Sequence, residues 1–212
     1  MKFDRNPSDQ AVAHEVEIYN ELRAAGITQV PQLIDSGSGW LAIELLAGKS
    51  LADFHNELTD QQSSRRSDRE KISDVLGVSY SLLDCLRQMH SHGIVHLDVS
   101  PGNVFYTRTI KGLLAKLLDF GGAQRLTGGR IQRVEIKLQY SAPEQINGTE
   151  LTPACDMFSF GAVLFTLVFR RHPFLNNSGL PVEKFHSAIQ ISRDVEEPLT
   201  FRMMKLGDVC GD

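Results

Sequence analysis

The sequence predicts an α+β fold in which a small sheet-bearing lobe precedes a larger, mainly helical one. Three observations carry that expectation. Short β-like runs, Gln29 to Ile34 and Trp40 to Leu46, lie near the N-terminus. Ser67-Asp-Arg-Glu70 has capping-box spacing and opens a long apolar-striped helix. Farther on, the thirteen residues from Met157 to Phe169 carry no charge. That run is too short for a bilayer, which needs about 20 apolar residues, and reads as a helix buried mid-domain.

Composition narrows the classes. At 212 residues the chain is long enough to bury a core without disulfide staples, and 42 % hydrophobic with 23 % charged residues is globular rather than disordered. A net charge of −4 argues against a nucleic-acid or membrane-surface binder, which needs a basic excess. Cys85, Cys155 and Cys210 are few, odd in number and dispersed, which excludes a disulfide framework and suits a reducing, cytoplasmic setting. The opening MKFDRNPSDQ is polar and carries no secretory signal. Neither repeats nor low-complexity tracts occur, and oligomeric state is left open.

Taken in order, the first helix opens after Asn6-Pro7-Ser8, carries Val12, Val16, Tyr19 and Leu22 at helical spacing, and ends near Gly26. The turn-forming Asp35-Ser-Gly-Ser-Gly39 separates the two β-like runs. A short helix starts at Ser50 with Leu51, Phe54 and Leu58 on one face, and polar Thr59 to Arg66 reads as a loop. Ile72, Val75, Leu76, Leu82, Leu83, Leu86 and Met89 line one side of the capped helix, which Gly93 stops. From there to Gly122 the pattern is β-like and loop-rich, with apolar runs at Val104 to Tyr106 and Leu113 to Leu118. Gln124 to Gln139 is polar; its Arg125, Arg130, Arg133 and Lys137 read as a basic, solvated loop. His90 and His92 suit a helix C-terminus, and Phe158, Phe160 and Phe165 read as core.

Four segments carry chemistry: His96-Leu-Asp-Val-Ser-Pro-Gly-Asn103, Asp119-Phe-Gly121, Ala142-Pro-Glu144 and Asp156-Met-Phe-Ser-Phe-Gly161. The first holds an acid and an amide five residues apart in a loop. The second is an acid at a strand end before a glycine that can turn sharply. Such hard oxygen ligands are what Mg²⁺ takes when it is shared with phosphates, and no His/Cys cluster competes.

In that order the segments resemble the signature of eukaryotic-type protein kinases, H-R-D-L-x-x-x-N, D-F-G and A-P-E. The resemblance implies a bilobal kinase fold, with residues 1–46 as a partial N-lobe and 47–212 as the C-lobe. It implies transfer of the γ-phosphate of ATP to a protein Ser or Thr hydroxyl, with Mg²⁺ as cofactor. Asp98 would orient or deprotonate the hydroxyl, while Asn103 and Asp119 would hold the metal. His96 and Phe120 would stack in a column joining the lobes, and Asp156 would cap the central helix and grip the catalytic loop. Ile43 corresponds to the gatekeeper, Glu44 and Leu46 offer backbone groups to adenine, and Phe105 is the floor beneath it. Glu15 is the regulatory-helix acid, because Tyr19 four residues on then supplies the column; choosing Glu17 would place Glu21 there. The lysine partner of Glu15 would be Lys2. Glu144 would pair with a late arginine.

Departures from the pattern matter. No glycine-rich loop precedes Lys2, and the chain reads as a kinase domain clipped at both ends. Leu97 stands where an arginine usually reads an activation-segment phosphate, so activity should not require phosphorylation at positions such as Thr127 or Ser141. Ser100 replaces the phosphate-stabilising lysine, and Lys137, seven residues before Glu144, is the candidate substitute. Gly102 occupies the position of the tyrosine-kinase arginine, so tyrosine specificity is unsupported. Two other readings stand beside the kinase: a pseudokinase or interaction module, favoured by the weakened phosphate anchoring, and a small-molecule phosphotransferase, disfavoured by the APE segment and the Asp156 helix.

Overall fold

The computed structural model describes residues 9–54, 67–110, 112–126, 139–147 and 151–175. Lys2, Leu58, Thr127 and Lys137 lie outside the described residues.

Helix α1, Asp9–Ala24, buries Val12, Ile18, Tyr19 and Leu22. It ends in a Schellman arrangement: Ile27 N–H bonds Leu22 C=O, Gly26 N–H bonds Arg23 C=O, and Gly26 takes φ 72°. Strands β1, Leu33–Gly37, and β2, Trp40–Ile43, then pair antiparallel. The turn is shorter than the sequence suggests. Asp35, Ser36 and Gly37 belong to β1, because ladder pairing with Trp40 to Ala42 outweighs their turn preference, and only Ser38 and Gly39 make the turn.

Strand β3, Lys49–Ser50, runs into a helical turn at 51–54, where the Ser50 hydroxyl accepts the Asp53 N–H at 3.3 Å. Leu51 and Phe54 are buried, Phe54 edge-on to Tyr106. Helix α2, Asp68–Ser91, carries the complete capping box: Glu70 N–H donates to the Ser67 hydroxyl, and Ser67 N–H to the Glu70 carboxylate. Its buried stripe is Val75, Val78, Leu82, Cys85, Leu86 and Met89. Ile72, Leu76 and Leu83, expected on that side, are exposed, since they lie about a third of a turn away. Gly93, at φ 73°, follows the helix as expected.

The strands that position the loops come next: β4, Ile94–Val95; β5, Val104–Thr109; β6, Gly112–Leu117; and β7, Gln124–Arg125. They form a three-stranded sheet of order β3-β5-β6 and a separate β4-β7 pair. Gly48 is required beside this sheet, because a side chain there would collide with the Tyr106 carbonyl. Short helix α3, Pro143–Asn147, and α4, Pro153–Phe169, complete the fold, with Thr152 capping α4 through the Ala154 N–H. Helix α4 is not buried all round: Cys155, Ser159, Ala162, Val163 and Leu167 face inward, while Met157, Val168 and Phe169 are exposed. Uniform apolarity names no face; the contact with α2 selects one. The larger of two apolar clusters runs from Val12 on α1 through α2 and the sheet to Leu167 on α4. No helix among the described residues is long and apolar enough to cross a membrane.

Candidate active site

Two antiparallel ladders bring the motif loops together. β4 leads into the loop 96–103 and pairs with β7, which leaves the turn at 119–122. β5 and β6 tie the other ends, and Leu118 N–H donates to Asn103 C=O at 2.8 Å. Residues far apart in the chain therefore emerge side by side.

At the centre, Asn103 Nδ2 donates to Asp98 Oδ2 at 2.7 Å and to Asp98 C=O at 2.9 Å. Asn103 and Asp119 line one cleft of about 330 Å³ with Glu15, Ile43, Glu44, Leu46 and Phe105. The sharp turn is taken by Asp119 itself, at φ 67°, rather than by Gly121. Asp119 Oδ1 and Glu15 Oε2 both lie within 4 Å of where a Gly121 Cβ would stand, which concentrates negative charge in the cleft.

Asp156, fully buried, accepts His96 N–H at 2.8 Å and Leu97 N–H at 2.7 Å. Those bonds hold Leu97 at φ 64°, a costly backbone for a leucine, and thereby aim Asp98. Capping of α4 falls to Thr152, so Asp156 is free to serve the loop. His90 Nε2 sits 2.8 Å from Asp156 Oδ2, a partner that a helix-end reading of His90 does not anticipate. Burial pushes the His96 pKa down, against the pull of the Asp156, Asp98 and Asp119 carboxylates. Neutral His96 donates from Nε2 to Leu118 C=O at 3.0 Å and accepts Asp98 N–H at Nδ1 at 3.2 Å.

The aromatic column is in place: Phe120 meets Tyr19 edge-on at 4.9 Å and His96 at 5.0 Å. Glu15 is buried and accepts Phe120 N–H at 3.2 Å, whereas Glu17 is exposed. Burial, with the Glu15 and Asp119 carboxylates, drives the Tyr19 hydroxyl far above its ordinary pKa. On the opposite wall, Glu44 N–H is committed to Gln32 C=O at 2.8 Å. Its side chain accepts Lys116 Nζ at 2.6 Å, and that hydrogen bond lowers the Glu44 pKa.

Sequence reasoning missed Gln145, and it missed the partners through which several other residues hold this site. Gln145 accepts Ala142 N–H and donates to Leu97 C=O, joining the APE segment to the catalytic loop. Leu97 is packed with Val95, Ala142 and Cys155 in a small apolar cluster. Ser141 is buried. Glu144 accepts a weak Cys155 Sγ hydrogen bond at 3.5 Å. Arg125 is no solvated loop residue, for it bonds Glu17 and Glu21 on α1. These partners lie up to 108 residues away, beyond the reach of any local sequence pattern.

Comparison with known proteins agrees with the geometry. A family model described as the protein kinase domain matches residues 2–204. Serine/threonine-protein kinase SMU1 of Mycosarcoma maydis is 26 % identical over 85 % of the chain and 23 % of its own length. A Corynebacterium efficiens serine/threonine-protein kinase, drp72, is 31 % identical over 69 % of the chain and 26 % of its own length. Serine/threonine-protein kinase PknA of Mycobacterium tuberculosis is 29 % identical over 70 % and 32 %. The chain thus spans about a quarter to a third of these relatives. With a strand-bearing N-terminal region, a helical C-terminal region and a family match along nearly its whole length, the chain belongs to the protein kinase domain family.

Proposed function

We propose that this domain binds Mg²⁺-ATP in the cleft and transfers the γ-phosphoryl group to a Ser or Thr hydroxyl of a protein substrate. The observation that carries this reading is the Asp98–Asn103–Asp119 constellation, with Asn103 bonded to Asp98 and sharing the cleft with Asp119. In it, Asp98 accepts or orients the substrate hydroxyl proton. Asn103 Nδ2 is engaged with Asp98, so the amide oxygen is what Asn103 offers a cation. Among the described residues no cluster of three His, Cys, Asp or Glu side chains is arranged to hold a metal. A site of one carboxylate and one amide oxygen, completed by phosphate and water, fits Mg²⁺. When bound, the ion neutralises phosphate charge; the protein's part is positioning.

The adenine would lie between Ile43, the Glu44–Leu46 backbone and Phe105. Lys2 is proposed to pair with Glu15, and Lys137 to replace the charge absent at Ser100. A second reading, nucleotide binding without transfer, is favoured by one observation: Ser100 is buried and supplies no positive charge to a transferring phosphate.

Thermal shift with Mg²⁺-ATP, alongside transfer of labelled phosphate to casein, tests both readings. Binding at 100 times Kd adds about 2.7 kcal/mol, or about 5 °C or more for a domain this size. Asp119→Asn should lose the Mg²⁺-dependent shift, Asp98→Asn should keep it while losing transfer, and Lys137→Ala should cut turnover strongly. A shift without transfer in the unaltered chain leaves the second reading; no shift refutes the first.

A further inference from the structure

We propose that Arg125 is a positioning residue that clamps α1, and with it Glu15, against the Asp119–Phe120 turn through ion pairs to Glu17 and Glu21. Arg125 Nε donates to Glu21 Oε1 at 2.8 Å, and Nη2 donates to Glu21 Oε1 at 2.5 Å and to Glu17 Oε2 at 3.1 Å. The two acids are one helical turn apart, so a single guanidinium grips one face of α1. Behind the guanidinium, the Arg125 backbone is fixed by β4, where it pairs with Ile94 at the entrance to the catalytic loop. Two further ties lie on the same helix: His14 Nε2 meets Ala123 C=O at 2.7 Å, and Glu15 accepts Phe120 N–H at 3.2 Å.

An isolated exposed ion pair contributes little. Here one guanidinium serves two carboxylates, its side chain is only 32 % exposed, and it joins segments 104 residues apart. Leu97 cannot supply the alternative link. Leu97, 1 % exposed and packed among apolar side chains, offers no cation with which a phosphorylated segment could be held. Acids built into α1 take the place of an added phosphate, so the helix is seated without modification.

The kinetic half of this inference rests on the proposed phosphoryl transfer; the structural half does not. Amide hydrogen exchange of the whole chain reads the structural half. Arg125→Ala should speed exchange along α1 about five- to tenfold while α2 stays unchanged. The double variant Glu17→Gln/Glu21→Gln should do the same with Arg125 intact, and Arg125→Lys should recover part of the protection. In about 1 M salt the difference between unaltered chain and variants should shrink, since the screening length falls to about 3 Å. Transfer to casein should show kcat reduced by a similar factor at unchanged KM for casein.

Unchanged α1 exchange in both Arg125→Ala and the acid double variant overturns the clamp, as does an equal rise in α2. Loosened α1 with unchanged kcat overturns the positioning role. If the unaltered chain transfers no phosphate, exchange alone decides the clamp, and the activity reading is what falls.

Discussion

Replacing Asp156 by Asn tests how the catalytic loop is held. The change is nearly isosteric, so no cavity term enters. The carboxylate has no exposure and accepts two backbone N–H groups, from His96 and Leu97, at 2.8 and 2.7 Å. An amide offers one oxygen and one NH₂ group to those two donors. One charge-assisted hydrogen bond, worth about 1.5–3 kcal/mol, is lost, and one buried N–H is left facing another donor at a further cost of about 1–3 kcal/mol. The expected destabilisation is about 3–5 kcal/mol. At about 2–4 °C per kcal/mol for a domain this size, the melting midpoint should fall by about 10 °C in far-UV circular dichroism. Function should suffer before the fold does. Leu97 stays at φ 64° because its N–H is anchored, and once released it should relax and carry Asp98 away from Asn103. Well below the midpoint, phosphoryl transfer should therefore drop at least about tenfold. A midpoint within about 2 °C of the unaltered chain would show that Asp156 is not what holds the loop.

Three other outcomes are expected. Burial lowers the His96 pKa, so below about pH 6.5 the unfolded chain takes up a proton that the folded chain refuses, and stability falls as pH drops from 7.5 towards 5. His96→Gln should flatten that slope, with His172, whose pKa burial also lowers, contributing to what remains; parallel slopes would contradict this. Burial pushes the Cys85 and Cys155 thiols up to about 12, so iodoacetamide at pH 8 should spare both in the native chain and label both in urea, as read by peptide mass spectrometry. Native labelling of either would contradict the core packing. Tyr19→Ala, which empties the space beside Phe120, should cost about 3–5 kcal/mol in denaturant unfolding, whereas Tyr19→Phe keeps the ring and most of the stability.

Local signals in the sequence translate directly into structure wherever the physics is local. The Ser67–Glu70 capping box closes within four residues, and Gly26 and Gly93 adopt the positive φ that helix ends call for. Spacing alone separates Glu15 from Glu17: with Tyr19 one turn on, Glu15 shares the inward face and meets Phe120, while Glu17 lies on the exposed face, where it pairs with Arg125. Local preference misleads where partners are distant. Asp35-Ser-Gly37 looks like a turn until β2 pairs with it, and the apolar run of α4 does not reveal which face α2 covers.

By itself, then, the amino-acid sequence determined the α+β class, the helix ends, the order of the motifs and the candidates Asp98, Asn103 and Asp119, all of which depend on periodicity, capping and short-range spacing. Only the tertiary structure decided how those candidates are held. Gln145 reaches Leu97 across 48 residues and Arg125 reaches Glu21 across 104, whereas the grip of Asp156 on the loop, 59 residues away, is one that the motif resemblance already implied. Hydrogen bonds and ion pairs form between side chains that topology places within about 3 Å. A lone Arg, Gln or His carries no mark in the sequence of the strand or helix that will meet it.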